Sequence, residues 1–132
     1  MPEQLPVDAE NAIATWLRAE TGAKVVTETS ADLASGTYRV GRIGGRDDVP
    51  TIDIARIDIE FFGADRAAAR KGARRALHIV RTRLEGQTIT DSDGATGFVL
   101  RTETEAAPVV VPYVNTNVRR AVTTVRVHIH TH

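Results

Sequence analysis

The sequence predicts a two-layer α+β domain, a mostly antiparallel sheet with two helices packed on one face. Two segments carry apolar residues at helical spacing, and several runs are extended and rich in β-branched residues. Their order is helix, three strands, helix, then two or three strands, which holds too few β-α-β units for a doubly wound fold. A chain of 132 residues with no internal repeat or linker is expected to form one domain over residues 1–132.

The first helix starts after Pro6, where Asp8 can cap the free amides of a first turn. Ala9, Ala12, Ile13, Trp16 and Leu17 then share one face, with Trp16 on the buried side, until Gly22 offers a left-handed stop. Val25-Val26 begins an extended run, residues 30–36 form a loop, and residues 37–43 read as a second strand closed by Gly44-Gly45. Residues 44–50 are a turn-rich connector to a third strand over residues 51–62, so these two strands should form a hairpin. Ile52 and Ile54 differ in parity from Ile57, Ile59 and Phe61. A bulge near Ala55-Arg56, favoured here over cover on both faces, would reset the register.

Asp65 is the next N-cap. Beyond it Ala69, Gly72, Ala73, Ala76, Leu77, Val80 and Leu84 fall within a ~140° arc at ~100° per residue, a stripe of small residues that lets the helix approach its sheet closely. Gly86 ends that helix. Residues 87–90 read as a short strand, residues 91–94 as a turn, and residues 98–105 as a further strand. Pro108 and Pro112 bracket an apolar loop, Val109-Val110-Val111. Residues 118–129 form the last strand, with Val125, Val127 and Ile129 facing away from Arg126 and His128.

Seventeen basic and seventeen acidic side chains cancel, so no overall field draws the chain to nucleic acid or membrane. The absence of cysteine excludes disulfides, thiolate zinc sites and a cysteine nucleophile. No apolar run approaches membrane-spanning length and no export signal is evident at Met1.

Phosphate-loop, nucleophile-elbow and zinc-protease motifs are absent, so no enzyme activity, cofactor or metal is assigned. Asp91 and Asp93 suit an Asx-rich turn better than a calcium loop, because no closing carboxylate follows at the required spacing. Asp47, Asp48, Asp53, Asp58 and Glu60 crowd one hairpin, and a solvated outward strand face accounts for them more simply than paired acid and base. His128, His130 and His132 alternate along one strand at the end of the chain, where a fraying solvated edge is expected in place of a metal site.

The second helix carries seven basic residues over 65–85 against Asp65 and Glu85 alone. Arg70, Arg74 and Arg81, with Lys71, Arg75 and His78, lie opposite the small-residue stripe and can meet DNA phosphates or an acidic partner surface. Base-stacking aromatics are missing from that face, which weighs toward subunit or partner contact over nucleic acid. A small nucleic-acid-binding protein using the arginine-rich helix 65–84 is the alternative from a different functional class.

The segments Val25-Val26-Thr27-Glu28-Thr29, Ala31-Asp32-Leu33, Val40-Gly41-Arg42 and Gly44-Gly45 follow one another in an order that resembles the tail terminator (tail completion) proteins of long-tailed phages, especially those infecting actinobacteria. The stretch from Asp53 to Asp58, the Asp65-Arg66 helix start, Tyr113-Val114-Asn115 and Val118-Arg119-Arg120 resemble that family in order and spacing too. The resemblance covers most of residues 7–130, and the final His-Ile-His-Thr-His lies outside it.

What the resemblance implies is a virion structural protein without enzyme activity. It would assemble in the host cytoplasm into a homo-oligomeric ring, expected to be a hexamer, that caps the head-proximal end of the tail tube, stops tube polymerisation and joins tail to head. Its partners would be the tail tube protein and the head-completion or connector protein, with DNA passing through the lumen without sequence-specific contact and no membrane involved. The loops 44–50 and 106–117 are the best contact candidates, because glycines and prolines pre-shape them. Arg46, Asp47 and Asp48 lie in the first, Val110, Tyr113 and Asn115 in the second, and Arg70, Arg74 and Arg81 on the helix complete the expected surface.

Overall fold

A computed structural model describes residues 5–30 and 32–131, so Ala31 and His132 fall outside the described residues. Helix α1 (Ala9–Thr21) is capped by Asp8, whose carboxylate accepts from the Asn11 amide at 3.2 Å. It stops at Gly22, which takes φ 67° and donates its N–H to the Arg18 carbonyl. Trp16 packs against the core from a half-buried position. After β1 (Val25–Val26), β2 (Thr37–Val49) and β3 (Ile52–Gly63) comes α2 (Arg66–Ile79), capped by the Asp65 carboxylate on the Ala68 amide at 2.8 Å. A π-helical turn over Val80–Leu84 continues α2, followed by β4 (Thr88–Thr90), β5 (Thr96–Val111) and β6 (Arg119–Thr131).

The strands form one six-stranded sheet in the order β1-β2-β3-β6-β5-β4, antiparallel throughout except for the β1–β2 pair. Both helices pack on the same side, so the fold is the two-layer α+β domain that the element order predicts. On that helix side Ile57, Ile59, Val125, Val127 and Ile129 are fully buried against Ile13, Leu17, Ala76 and Val80. The small-residue stripe does what its composition suggests: Ala69, Ala73 and Ala76 are fully buried, and Ile79 joins them.

The strands differ from the sequence reading in several respects. Strand β2 does not close at Gly44-Gly45 but runs on to Val49, so residues 44–49 are strand and only Pro50 and Thr51 make the turn. The glycines are tolerated because they sit beside a bulge, where Arg42 pairs with Ile57 and Gly44 with Arg56, leaving Ile43 unpaired. Gly45 takes φ 119°, and a Cβ there would lie 2.0 Å from the Ile54 carbonyl oxygen. The bulge expected at Ala55-Arg56 is absent, because β3 pairs with β6 without interruption from Ile52 to Gly63 and the irregularity lies on β2 instead. Ile54 is buried on the side opposite Ile57, so both faces of β3 are partly covered.

Val109-Val110-Val111 is likewise strand and not loop, paired with Val122, Ala121 and Arg120. Pro108 sits at the irregularity between Ala106 and Val109, where a missing N–H breaks no ladder bond. Finally, β6 is no fraying edge: it lies between β3 and β5 in the sheet.

Candidate functional site

The side of the sheet without helices is organised by charge. Glu60, only 6% exposed, lies between Arg39 at 3.0 Å and Arg120 at 3.8 Å. Glu105 accepts from Arg56 at 2.9 Å and Arg126 at 3.1 Å, and these bonds, with Arg56 foremost, hold its carboxyl below the ordinary carboxylate range. His128 Nε2 is 2.8 Å from Glu103, and that contact is the main cause of a lowered carboxyl pKa at Glu103. Asp58 accepts from the Thr124 hydroxyl at 2.6 Å. Cross-strand ladders of this kind fix register and solvate a sheet face. Nothing in the sequence pattern marks the Arg39–Glu60–Arg120 group, because it depends on which strands are neighbours.

The hairpin carboxylates are not gathered into an acid–base pair. Asp53 is held by Arg42 through two bonds of 2.6 and 2.7 Å on the helix side, whereas Asp58 and Glu60 face the opposite side. Asp91 accepts from the backbone amides of Asp8, Asp93 and Ala95 at 2.8–3.0 Å, which uses its oxygens to tie the turn to the start of α1. Those bonds, with Asp8 the largest contributor, lower its pKa. Among the described residues no group of three or more His, Asp or Glu side chains could hold a metal ion.

The two expected contact segments lie at opposite ends of the sheet. Because Ile52 pairs with His130 and Gly63 with Arg119, the β2–β3 arm bearing Arg46, Asp47 and Asp48 is at one end and residues 112–118 are at the other. All of residues 42–51 are exposed, and Arg46 and Asp48 approach only to 3.8 Å. At the far end the Tyr113 ring packs tilted against Phe62, centroids 4.9 Å apart, lies under the Arg120 guanidinium at 5.6 Å and donates its hydroxyl to the Ser30 carbonyl. Asn115 shapes the loop by accepting from the Asn117 amide at 3.0 Å. Val110 is half-buried against Ala69, Ala73 and Ala121. A cavity of about 430 Å³ opens here, lined by Arg66, Val110, Pro112, Tyr113, Thr116 and Arg119. Exposed large apolar side chains mark both ends, Val49 (48%) at the arm and Val114 (79%) at the loop.

The helix cations divide into two sets. Arg81 turns back to donate to the Thr102 carbonyl, and Arg83 pairs with Glu20 at 3.2 Å, so neither belongs to a free surface. Arg66, Arg70, Lys71 and Arg74 are exposed and have no ion-pair partner among the described residues. Arg66 and Arg70, Arg70 and Arg74, and Lys71 and Arg75 are four residues apart, and like charges at that spacing cost a few tenths of a kcal/mol each. The first turn of α2 itself holds Arg66 and no acidic residue, and the negative charge at that end comes from the Asp65 cap alone. No described helix is long and apolar enough to cross a membrane. Among known proteins, no family model matches the chain and no curated protein matches it in sequence.

Proposed function

We propose that the chain is a virion structural subunit of the phage tail terminator type, which closes into a ring, expected to be a hexamer, on the head-proximal end of the tail tube. The observation that carries this reading, beside the ordered sequence resemblance, is that the two unlike segments expected to make contacts lie at opposite ends of one sheet. A subunit so built gives a ring two different faces. One face, the charged and extended arm or the Tyr113 loop, copies the contacts of a tube subunit. The other does not, so tube growth stops for want of a complementary surface while the head connector finds its own. Ring closure itself uses two different lateral patches on each subunit, as any cyclic assembly does. The function requires no bond-making chemistry, no cofactor and no membrane.

Light scattering after size exclusion, with negative-stain images of the protein alone and mixed with purified tail tubes, tests the proposal. Rings, or one disc at one end of each tube, are expected. A strict monomer that leaves tubes undecorated at high concentration overturns it.

A further inference from the structure

We infer that the outward face of α2 binds the phosphate backbone of duplex DNA without reading its sequence. The chain is neutral overall, yet its charges are not evenly matched. On the sheet, Arg39, Arg42, Arg56, Arg101, Arg120 and Arg126 each have a carboxylate partner. Among the described residues Arg18, Lys24 and Arg119 lack one singly elsewhere, but on α2 Arg66, Arg70, Lys71, Arg74 and Arg75 stand together, exposed, on a helix that holds no acidic residue between its ends. Arg66 and Arg70, and Arg70 and Arg74, stand as like charges four residues apart, and an external anion relieves that repulsion.

The chemistry of the face selects among anions. A protein partner needs an apolar or aromatic anchor at the centre of the contact, and none of the large exposed hydrophobic side chains lies on α2. A phosphate backbone needs only guanidinium and ammonium donors, which release counterions as they bind. Single-stranded nucleic acid is disfavoured, because it is held by stacking on aromatic side chains and this face has none. Arg66, Arg70 and Arg74 step along the helix by about 6 Å each, a row of charge on a cylinder of about 10–12 Å, and the B-form major groove of about 12 Å admits such a helix between its phosphate walls. The deep, narrow major groove of duplex RNA does not.

Fluorescence anisotropy of a labelled mixed-sequence DNA duplex, titrated with the full chain, tests this independently of ring formation. Affinity should fall between about 50 and 200 mM salt with a log–log slope near −4, close to one ion per contacting cation. Combining Arg70→Ala with Arg74→Ala should reduce that slope by about 2 and weaken binding roughly tenfold or more at low salt. Both replacements favour the helix, and circular dichroism melts establish that the variant is folded. Arg101→Ala, on the opposite side of the sheet, should leave the titration unchanged. Absence of duplex binding at low salt, or full binding by the folded double variant, overturns the inference. So does equal or tighter binding of single strands or duplex RNA, or displacement of the duplex by poly-glutamate at equal charge, which would assign the face to an acidic protein surface.

Discussion

The Tyr38 hydroxyl donates a 2.9 Å hydrogen bond to the carbonyl oxygen of Gly72, joining β2 to the middle of α2 through the core. Burial raises the pKa of this phenol, and its ring lies 4.6 Å from that of Phe61. The approach is possible because Gly72 has no side chain. A Cβ there would come within 2.0 Å of the Phe61 ring.

Gly72→Ala is therefore expected to destabilise the subunit although alanine is the better helix former. The gain in propensity is about 1 kcal/mol, whereas forcing an extra methyl into a close-packed core costs roughly 1–3 kcal/mol. The contact is with the ring carbons near the base of Phe61 and not with a movable tip, so the upper part of that range applies. A chemical denaturation midpoint equal to or above that of the parent would mean that α2 stands farther from the sheet than this.

Both helices are legible in the sequence because their signals are local: Asp8, Gly22 and Asp65 each act within one turn of the helix they bound. Strand extents are less so. A Gly-Gly pair ordinarily ends a strand, and here it continues because Gly44 and Gly45 pair with Arg56 and Ala55 of β3, where a side chain at Gly45 would strike the Ile54 carbonyl. The same holds for Val109 to Val111, whose strand character comes from pairing with β6 across a proline that periodicity reads as a break. Of the candidate surface, the charge on α2 was visible from helical spacing alone, whereas the loss of Arg81 to the Thr102 carbonyl depends on where β5 passes. Pairing of His128 with Glu103 follows from sheet order and has no sequence signature.

Asp91 links stability to pH. Its folded pKa lies below the ordinary value of 3.8, so its contribution is complete above the unfolded carboxylate range and is lost as pH falls through the folded value. Asp91→Asn should lower the melting temperature at neutral pH, since an amide cannot accept all three backbone N–H groups. Below pH about 4 the parent and the variant should converge. Other carboxylates titrate there too, so the difference between the two melting curves is the quantity to follow. Curves that stay parallel from neutral to strongly acidic pH would show that the Asp91 charge contributes nothing.

The docking of α2 can be tested from its other end, where Ala69 and Ala73 meet Ala121, with Phe61 and Val110 alongside. Ala73 is fully buried, and Ala73→Leu would add three heavy atoms to a contact made entirely of methyl groups and two larger neighbours. Overpacking of that kind costs about 1–3 kcal/mol, and each kcal/mol moves the melting temperature of a domain this size by roughly 3–5 °C. Arg74, the next residue, is exposed and unpaired, so Arg74→Ala should change stability by less than about 0.5 kcal/mol and can raise it slightly by removing a like-charge neighbour. The measurement belongs to dilute subunits, because ring formation would add concentration-dependent stability and mask the difference. If Ala73→Leu melts with the parent while Arg74→Ala melts early, α2 presents its arginines to the sheet, and the assignment of its outward face to a partner falls with it.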